Sequence, residues 1–163
     1  MYRNRGLIAC LSALSLLYLL LFPLPVDLPS GIALVSFASA DTVPGGYVSG
    51  TWYAASSPYY INGSITIGAS DTLTIEPGVE AIFLGYYNLT VNGYLEAIGT
   101  EADSIHFFPA DTTARWGGIQ FVSGPTSYLA YCKVRYSGES GIYCQSDPVI
   151  TQCTISNNIS GPA

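Results

Sequence analysis

Three carboxylates precede a tryptophan within a short stretch: Glu101, Asp103 and Asp111 come before Trp116. Pairs of Asp or Glu at a fixed separation hydrolyse glycosidic bonds, and an indole ring offers a flat apolar face to a sugar. These residues are therefore candidate glycan contacts. Loop Asp residues are also common turn formers, and no pairing can be inferred from their spacing. We therefore expect solvated loop carboxylates and no catalytic site.

Aromatic side chains are the second candidate for glycan contact. The chain has 13 tyrosines, of which Tyr86 and Tyr94 are the best placed to offer exposed rings to a sugar. Tyrosine is also a favoured strand residue, and strand alternation accounts for most of the others. His106, the only histidine, lies between Ile105 and Phe107. It is expected to face outward on a strand as a surface residue.

The predicted strands and corners that carry these residues repeat along the chain. Gly118–Phe121 matches Gly141–Cys144 at an offset of 23, and Cys132–Val134 matches Cys153–Ile155 at an offset of 21. Short alternating runs joined by Gly, Ser, Asn, Asp and Pro corners, repeated every twenty-odd residues, are typical of a solenoid. Pro109–Gly117 interrupts the period and is predicted to be a protruding loop.

Upstream residues repeat at a similar spacing. The equivalent pairs are Ile65 and Leu89, Leu73 and Leu95, and Ala81 and Ile105, at offsets of 24, 22 and 24. A more literal match of Leu73–Ile82 with Leu89–Ile98, at an offset of 16, leaves this register open. Asn92-Gly93 also fits a type I′ hairpin in a β-sandwich. Recurrent apolar triplets favour stacked coils over hairpins.

Corner residues support the same architecture. Pro77 and Gly78 occupy the second and third positions of a predicted type II turn, where glycine supplies the positive φ. Asn157 falls at a later corner, where asparagine tolerates the left-handed conformation. Both corners are predicted to be structural.

Cys132, Cys144 and Cys153 are also predicted to be structural. Cys132 and Cys153 hold equivalent places in successive coils and should stack inside as buried free thiols. A disulfide between in-register parallel neighbours would need unusual geometry. No C-x-x-C pair or nearby histidine indicates a metal site, so no metal or cofactor is expected.

The chain is predicted to have three parts. Residues 1–40 fit a signal peptide, with Arg3 and Arg5 before an apolar stretch and Ala38-Ser39-Ala40 at the cleavage site, although a retained anchor is the alternative. Residues 41–63 should cap the first coil, and residues 64–163 should form about four coils. Ser160–Ala163 resembles the start of another coil, so we expect an uncapped end that meets further coils of this chain or another chain.

Charge restricts the partners. The formal net charge is −6, and Arg115, Lys133 and Arg135 are the only basic residues after position 40, against ten carboxylates. Nucleic acids and anionic membranes need clustered Lys and Arg, so neither is expected as a partner. Three sequences fit the N-glycosylation pattern, at Asn62, Asn88 and Asn158.

Four segments resemble secreted right-handed parallel β-helix repeat proteins of pectate-lyase-like architecture: LTIEPGVEAIF, LTVNGYLEAIGT, WGGIQF and SGIYCQSDPVITQCTISNN. The resemblance implies an all-β, right-handed parallel β-helix. Such proteins include polysaccharide lyases, glycoside hydrolases and surface proteins without a known reaction. The lyases use Ca²⁺ and a basic residue, but Glu76, Glu80 and Glu96 are spread over several coils and support no calcium cluster.

We therefore expect a secreted or cell-surface module, structural or glycan-binding, without its own catalytic site. Its partner would be an extracellular polysaccharide. The alternative is the N-terminal part of a lyase or hydrolase whose active site lies in downstream coils.

Overall fold

A computed structural model describes residues 40–159, in which 52% strand and almost no helix make an all-β chain. A single 3-10 turn covers Ala54–Ser56. In chain order the strands are β1 (Asp41–Tyr47), β2 (Gly50–Trp52), β3 (Tyr59–Ile67), β4 (Thr72–Ile75), β5 (Glu80–Phe83), β6 (Asn88–Val91), β7 (Tyr94–Ile98), β8 (Ile105–Pro109), β9 (Gly118–Phe121), β10 (Tyr128–Ala130), β11 (Cys132–Arg135), β12 (Ile142–Cys144), β13 (Val149–Thr151) and β14 (Thr154–Ser156).

These strands stack in three parallel ladders. The first ladder contains the N-terminal part of β3 with β5, β8, β11 and β14, and the second contains the C-terminal part of β3 with β6, β9 and β12. The third ladder is a separate five-stranded sheet of β2, β4, β7, β10 and β13. Strand β1 pairs with β3 along both of its parts. Each turn of the chain therefore adds one strand to every ladder.

The result is a parallel β-solenoid of about five turns, which confirms the predicted fold class. The repeat count predicted about four turns because the segment 41–63 was assigned to a cap. Instead, β1 and β2 pair in register with β3 and β4 and form the first turn. Trp52 and Tyr59 are buried, and their rings stack with centroids 4.7 Å apart.

The core consists of inward-facing side chains stacked from turn to turn. One stack runs Ile65, Leu89, Ile119 and Ile142 through the second ladder. Another runs Ile75, Ala97, Leu129 and Ile150 through the third. Because successive strand residues point to opposite faces, alternate residues enter this core and the rest form the outer faces.

The register follows most of the predicted offsets. Leu73 pairs with Leu95, so the rival offset of 16 is wrong. The predicted match of Ala81 with Ile105 is also wrong, because Ala81 pairs with Phe107. A shift of two residues keeps the same side chains facing inward, so alternation alone could not distinguish the two registers.

The predicted corners are present. Val79 N donates to Glu76 O at 3.3 Å, and Gly78 has φ +82°, as the type II turn requires. Asn157 has φ 59°, in the left-handed region. Asn92-Gly93 joins strands of different ladders, and every strand pairing in the described part of the chain is parallel, so the hairpin alternative is wrong.

The cysteines are less uniformly buried than predicted. All three are free, and Cys132 is buried, Cys153 is half-buried and Cys144 is exposed. Cys144 and Cys153 lie on the last turn that the structure describes, so no further turn covers their inward-facing positions there.

The predicted signal peptide and Ser160–Ala163 lie outside residues 40–159, apart from Ala40 at the proposed cleavage site. Within that range, no helix has the length and apolar character needed to cross a membrane.

Candidate functional site

The predicted carboxylate cluster does not assemble. Glu101 and Asp103 lie at the corner before β8, whereas Asp111 lies in the loop after it. The five residues of β8, at about 3.3 Å each, separate these ends by about 16 Å. The paired carboxylates of glycosidases are roughly 5 to 9.5 Å apart. Residues 40–159 also contain no group of three His, Cys, Asp or Glu side chains arranged to hold a metal ion.

The two aspartates shape local turns. Asp111 Oδ1 accepts hydrogen bonds from Thr113 N at 2.8 Å and Thr113 Oγ1 at 2.7 Å. These hydrogen bonds lower the pKa of the exposed Asp111 carboxyl. The backbone of Asp103 accepts from Gly78 N at 3.0 Å and donates to Thr100 Oγ1 at 2.9 Å. Asp103 therefore ties its corner to the preceding turn, whereas Asp111 stabilises the loop in which it lies.

Trp116 is not a surface platform for sugar. Its side chain is 0% exposed, its ring stacks on Phe83 with centroids 4.2 Å apart, and Nε1 donates to Arg135 O at 2.8 Å. The preceding residue, Arg115, has φ 60°, and its guanidinium donates to Ser137 O and Asn157 O, each at 3.0 Å. The prediction of glycan contact by Trp116 is wrong because the ring fills the core between turns.

The two candidate tyrosines are accessible but lie apart. Tyr86 is 56% exposed, and its hydroxyl donates to Glu139 Oε1 at 3.2 Å. Burial and the Glu139 carboxylate raise the pKa of Tyr86. Tyr94, on the third ladder, meets Tyr128 edge to face with centroids 6.4 Å apart. Neither tyrosine is joined to the predicted carboxylates.

The outer face of the first ladder carries a different cluster, which we call the basic groove: His106, Phe108, Lys133, Arg135 and Tyr136. Register places His106 beside Lys133 and Phe108 beside Arg135 on β8 and β11. Tyr136 follows β11 directly. His106, Phe108, Arg135 and Tyr136 line a cavity of about 160 Å³. Two aromatic rings, an imidazole and a guanidinium group therefore line one concave surface, and Lys133 lies beside His106 on the same face.

The basic groove has an excess of positive charge. Lys133 and Arg135 form no ion pair within residues 40–159, whereas His106 Nδ1 lies 3.6 Å from Glu80 Oε1. Burial, followed by the charges of Lys133 and Arg135, lowers the pKa of His106, and Glu80 opposes that effect. At neutral pH the groove thus presents two cations and a neutral imidazole, which can donate or accept a hydrogen bond.

Tyr136 is held in a strained conformation. Its φ of 57° is unusual for an aromatic residue, and its N–H donates to Ser156 O at 3.4 Å. Such strain persists only where surrounding contacts impose it, and it occurs often at ligand sites. Here it turns the chain immediately after Arg135 and fixes one wall of the basic groove.

Sequence reasoning did not identify the basic groove. The sequence identified Lys133 and Arg135 only as two of the three basic residues after position 40 and indicated no partner beside them. The missing signal was the register of β8 with β11: because Val134 aligns with Phe107, Phe108 lies beside Arg135. A larger cavity of about 260 Å³ is lined by Ser140 and the stretch 155–158, but these residues carry no charge.

The fold thus defines a parallel β-solenoid with one cationic, aromatic surface. The chain is similar to Protein bark beetle of Drosophila melanogaster, with 35% identity over 99 residues. That alignment covers 55% of this chain and only 3% of the fly protein. No protein-family model matches the chain, and no solved structure matches it.

Proposed function

We propose that the chain is a secreted or cell-surface solenoid module that binds an extracellular glycan through the basic groove. The observation that carries this proposal is the combination of Phe108 and Tyr136 with Arg135 around one cavity of about 160 Å³. Lys133 adds a second cation beside His106 on the same face. Aromatic rings stack against the apolar faces of sugars, and guanidinium groups bind carboxylates and sulfates with paired hydrogen bonds.

The size and charge of the basic groove favour a single anionic sugar unit. Typical pockets for larger small molecules occupy roughly 300 to 1,000 Å³, well above this cavity. A polyanion would instead meet the net negative charge of the remaining surface, since the whole chain has a formal charge of −6. We therefore assign the site to a uronate or sulfated residue within an otherwise weakly charged glycan.

Binding can be tested by calorimetry with two matched probes, a uronate-containing oligosaccharide and its neutral counterpart. The uronate probe should bind more tightly, and Arg135→Gln should weaken its binding about tenfold or more, because a hydrogen bond to a charged group contributes about 1.5–3 kcal/mol. Arg135→Lys should recover part of the affinity, since it keeps the charge and loses the planar fork.

Phe108→Ala should weaken binding of both probes, because the ring contacts the sugar face and not its charge. Tyr47→Ala is the matched control, since Tyr47 is 81% exposed on the first turn, away from the basic groove. Equal affinity for the two probes, or unchanged binding by Arg135→Gln, would contradict the proposal. An active site in downstream coils stays a prediction, which incubation of a longer chain with the same glycans would test.

A further inference from the structure

Two cysteines meet between adjacent turns of the first ladder. Lys133 pairs with Thr154 and Val134 with Ile155, which places Cys132 beside Cys153 one residue earlier on β11 and before β14. Neighbouring strands lie about 4.8 Å apart, within the Cα separation of roughly 4.4–6.8 Å that disulfides span. The backbone therefore allows a bond between these two residues.

The side chains already converge. Cys132 N donates to Cys153 Sγ at 3.4 Å. Cys132 Sγ also donates to Ala97 O at 3.3 Å, which holds its side chain inside the solenoid. Cys144 lies in the second ladder, on β12, and has no register partner among the other cysteines.

We propose that Cys132 and Cys153 form a disulfide that joins β11 to the last described turn when the folded chain meets a small-molecule disulfide. This inference is independent of glycan binding. Side-by-side residues on parallel strands must approach somewhat more closely to reach the ideal Cβ separation, so the bond carries strain and is readily reduced. The disulfide would be a reversible covalent crosslink between adjacent turns.

The reaction begins at Cys153. Its half-buried side chain is the more accessible of the two. The neighbouring Cys132 thiol, together with the Cys132 N–H that donates to Cys153 Sγ, lowers the pKa of Cys153. The neighbouring Cys153 thiol, followed by burial, raises the pKa of Cys132. A thiolate is the nucleophile in disulfide exchange, so Cys153 is set to react first.

The thiol–disulfide exchange takes place in two steps. The Cys153 thiolate attacks one sulfur of oxidised glutathione, forms a mixed disulfide and releases one glutathione thiolate, which takes up the proton lost by Cys153. Cys132 then attacks the Cys153 sulfur and displaces the second glutathione, which takes up the Cys132 proton. Two protein thiols are oxidised, and one glutathione disulfide is reduced to two thiols.

The test uses the full chain with Cys10→Ser and Cys144→Ser, so that only the proposed pair remains. The folded protein is treated with oxidised glutathione, then denatured and alkylated with iodoacetamide, and its intact mass is measured. We expect a monomer with no alkyl group and no glutathione, whereas the reduced protein takes up two alkyl groups. Two alkyl groups after oxidation, or disulfide-linked dimers, would overturn the proposal.

Two matched variants identify the order of reaction. Adding Cys132→Ser should leave Cys153 trapped as its glutathione adduct, while adding Cys153→Ser should leave the buried Cys132 free for alkylation after denaturation. Circular dichroism establishes that each variant keeps its β-structure. If a serine variant does not fold, peptide mapping of the oxidised unsubstituted chain decides: a Cys132–Cys153 crosslink supports the proposal, and crosslinks through Cys144 refute it.

Discussion

Replacing Trp116 by phenylalanine should destabilise the solenoid, because its side chain is fully buried in the core. The indole Nε1 donates to Arg135 O at 2.8 Å, and phenylalanine removes that donor. A buried carbonyl left without its partner costs about 1–3 kcal/mol. The smaller ring also vacates part of the space against Phe83, which adds about 1 kcal/mol. The free energy of unfolding should therefore fall by about 2–4 kcal/mol.

Urea unfolding followed by circular dichroism measures this change. With a denaturant slope near 2 kcal/mol per molar, the midpoint should fall by about 1–2 M. Tyr86→Phe is the matched control, because Tyr86 is exposed and its loss of one hydroxyl should change stability by less than about 0.5 kcal/mol. An unchanged midpoint for Trp116→Phe would refute the assignment of Trp116 to the core.

Three further predictions concern a corner, a modification and pH. Gly93→Ala should prevent stable folding, because a Cβ there would collide with the carbonyl oxygens of Gly68 and Asp71. Expression yield and the β-structure signal in circular dichroism should both fall. A folded variant of unchanged stability would contradict this prediction. In a glycosylating host, we expect a glycan at Asn62, which is exposed, and none at Asn88, whose Nδ2 donates to Thr90 Oγ1 and Gln120 Oε1. The Asn158 side chain is likewise hydrogen-bonded, to Ser137 N and Val134 O, so no glycan is expected there. Asn62→Gln should therefore abolish the mass shift, and Asn88→Gln should leave it unchanged. The pKa of His106 is lowered from 6.5 in the fold, with Glu80, Lys133 and Arg135 facing it, so the unfolded chain binds that proton more readily. The neutral His106 side chain therefore contributes fully to stability above about pH 6.5, and this contribution is lost as the pH falls. His106→Gln should make the urea midpoint depend less on pH between about pH 7 and 5. An equally steep pH dependence in the variant would contradict this prediction.

Much of the fold could be predicted because its signals are local. Alternation placed Ile65 and Leu73 in the core, and both are fully buried. Gly78 and Asn157 marked corners through backbone conformations that few residues tolerate. The candidate site was harder, because Glu101 and Asp111 are close in sequence yet lie at opposite ends of β8. Proximity along the chain is a poor guide when a strand separates two residues.

The inward-facing side chains, the positions of the corners and the parallel stacking of the turns could all be predicted from the amino-acid pattern. A period of two residues and a few residues with special φ angles are enough for those features. Tertiary structure decided which residues of successive turns become neighbours, because corners of unequal length shift the register in steps that alternation does not detect. That register placed Phe108 beside Arg135, and the fold around the loop after β8 buried Trp116 against Phe83.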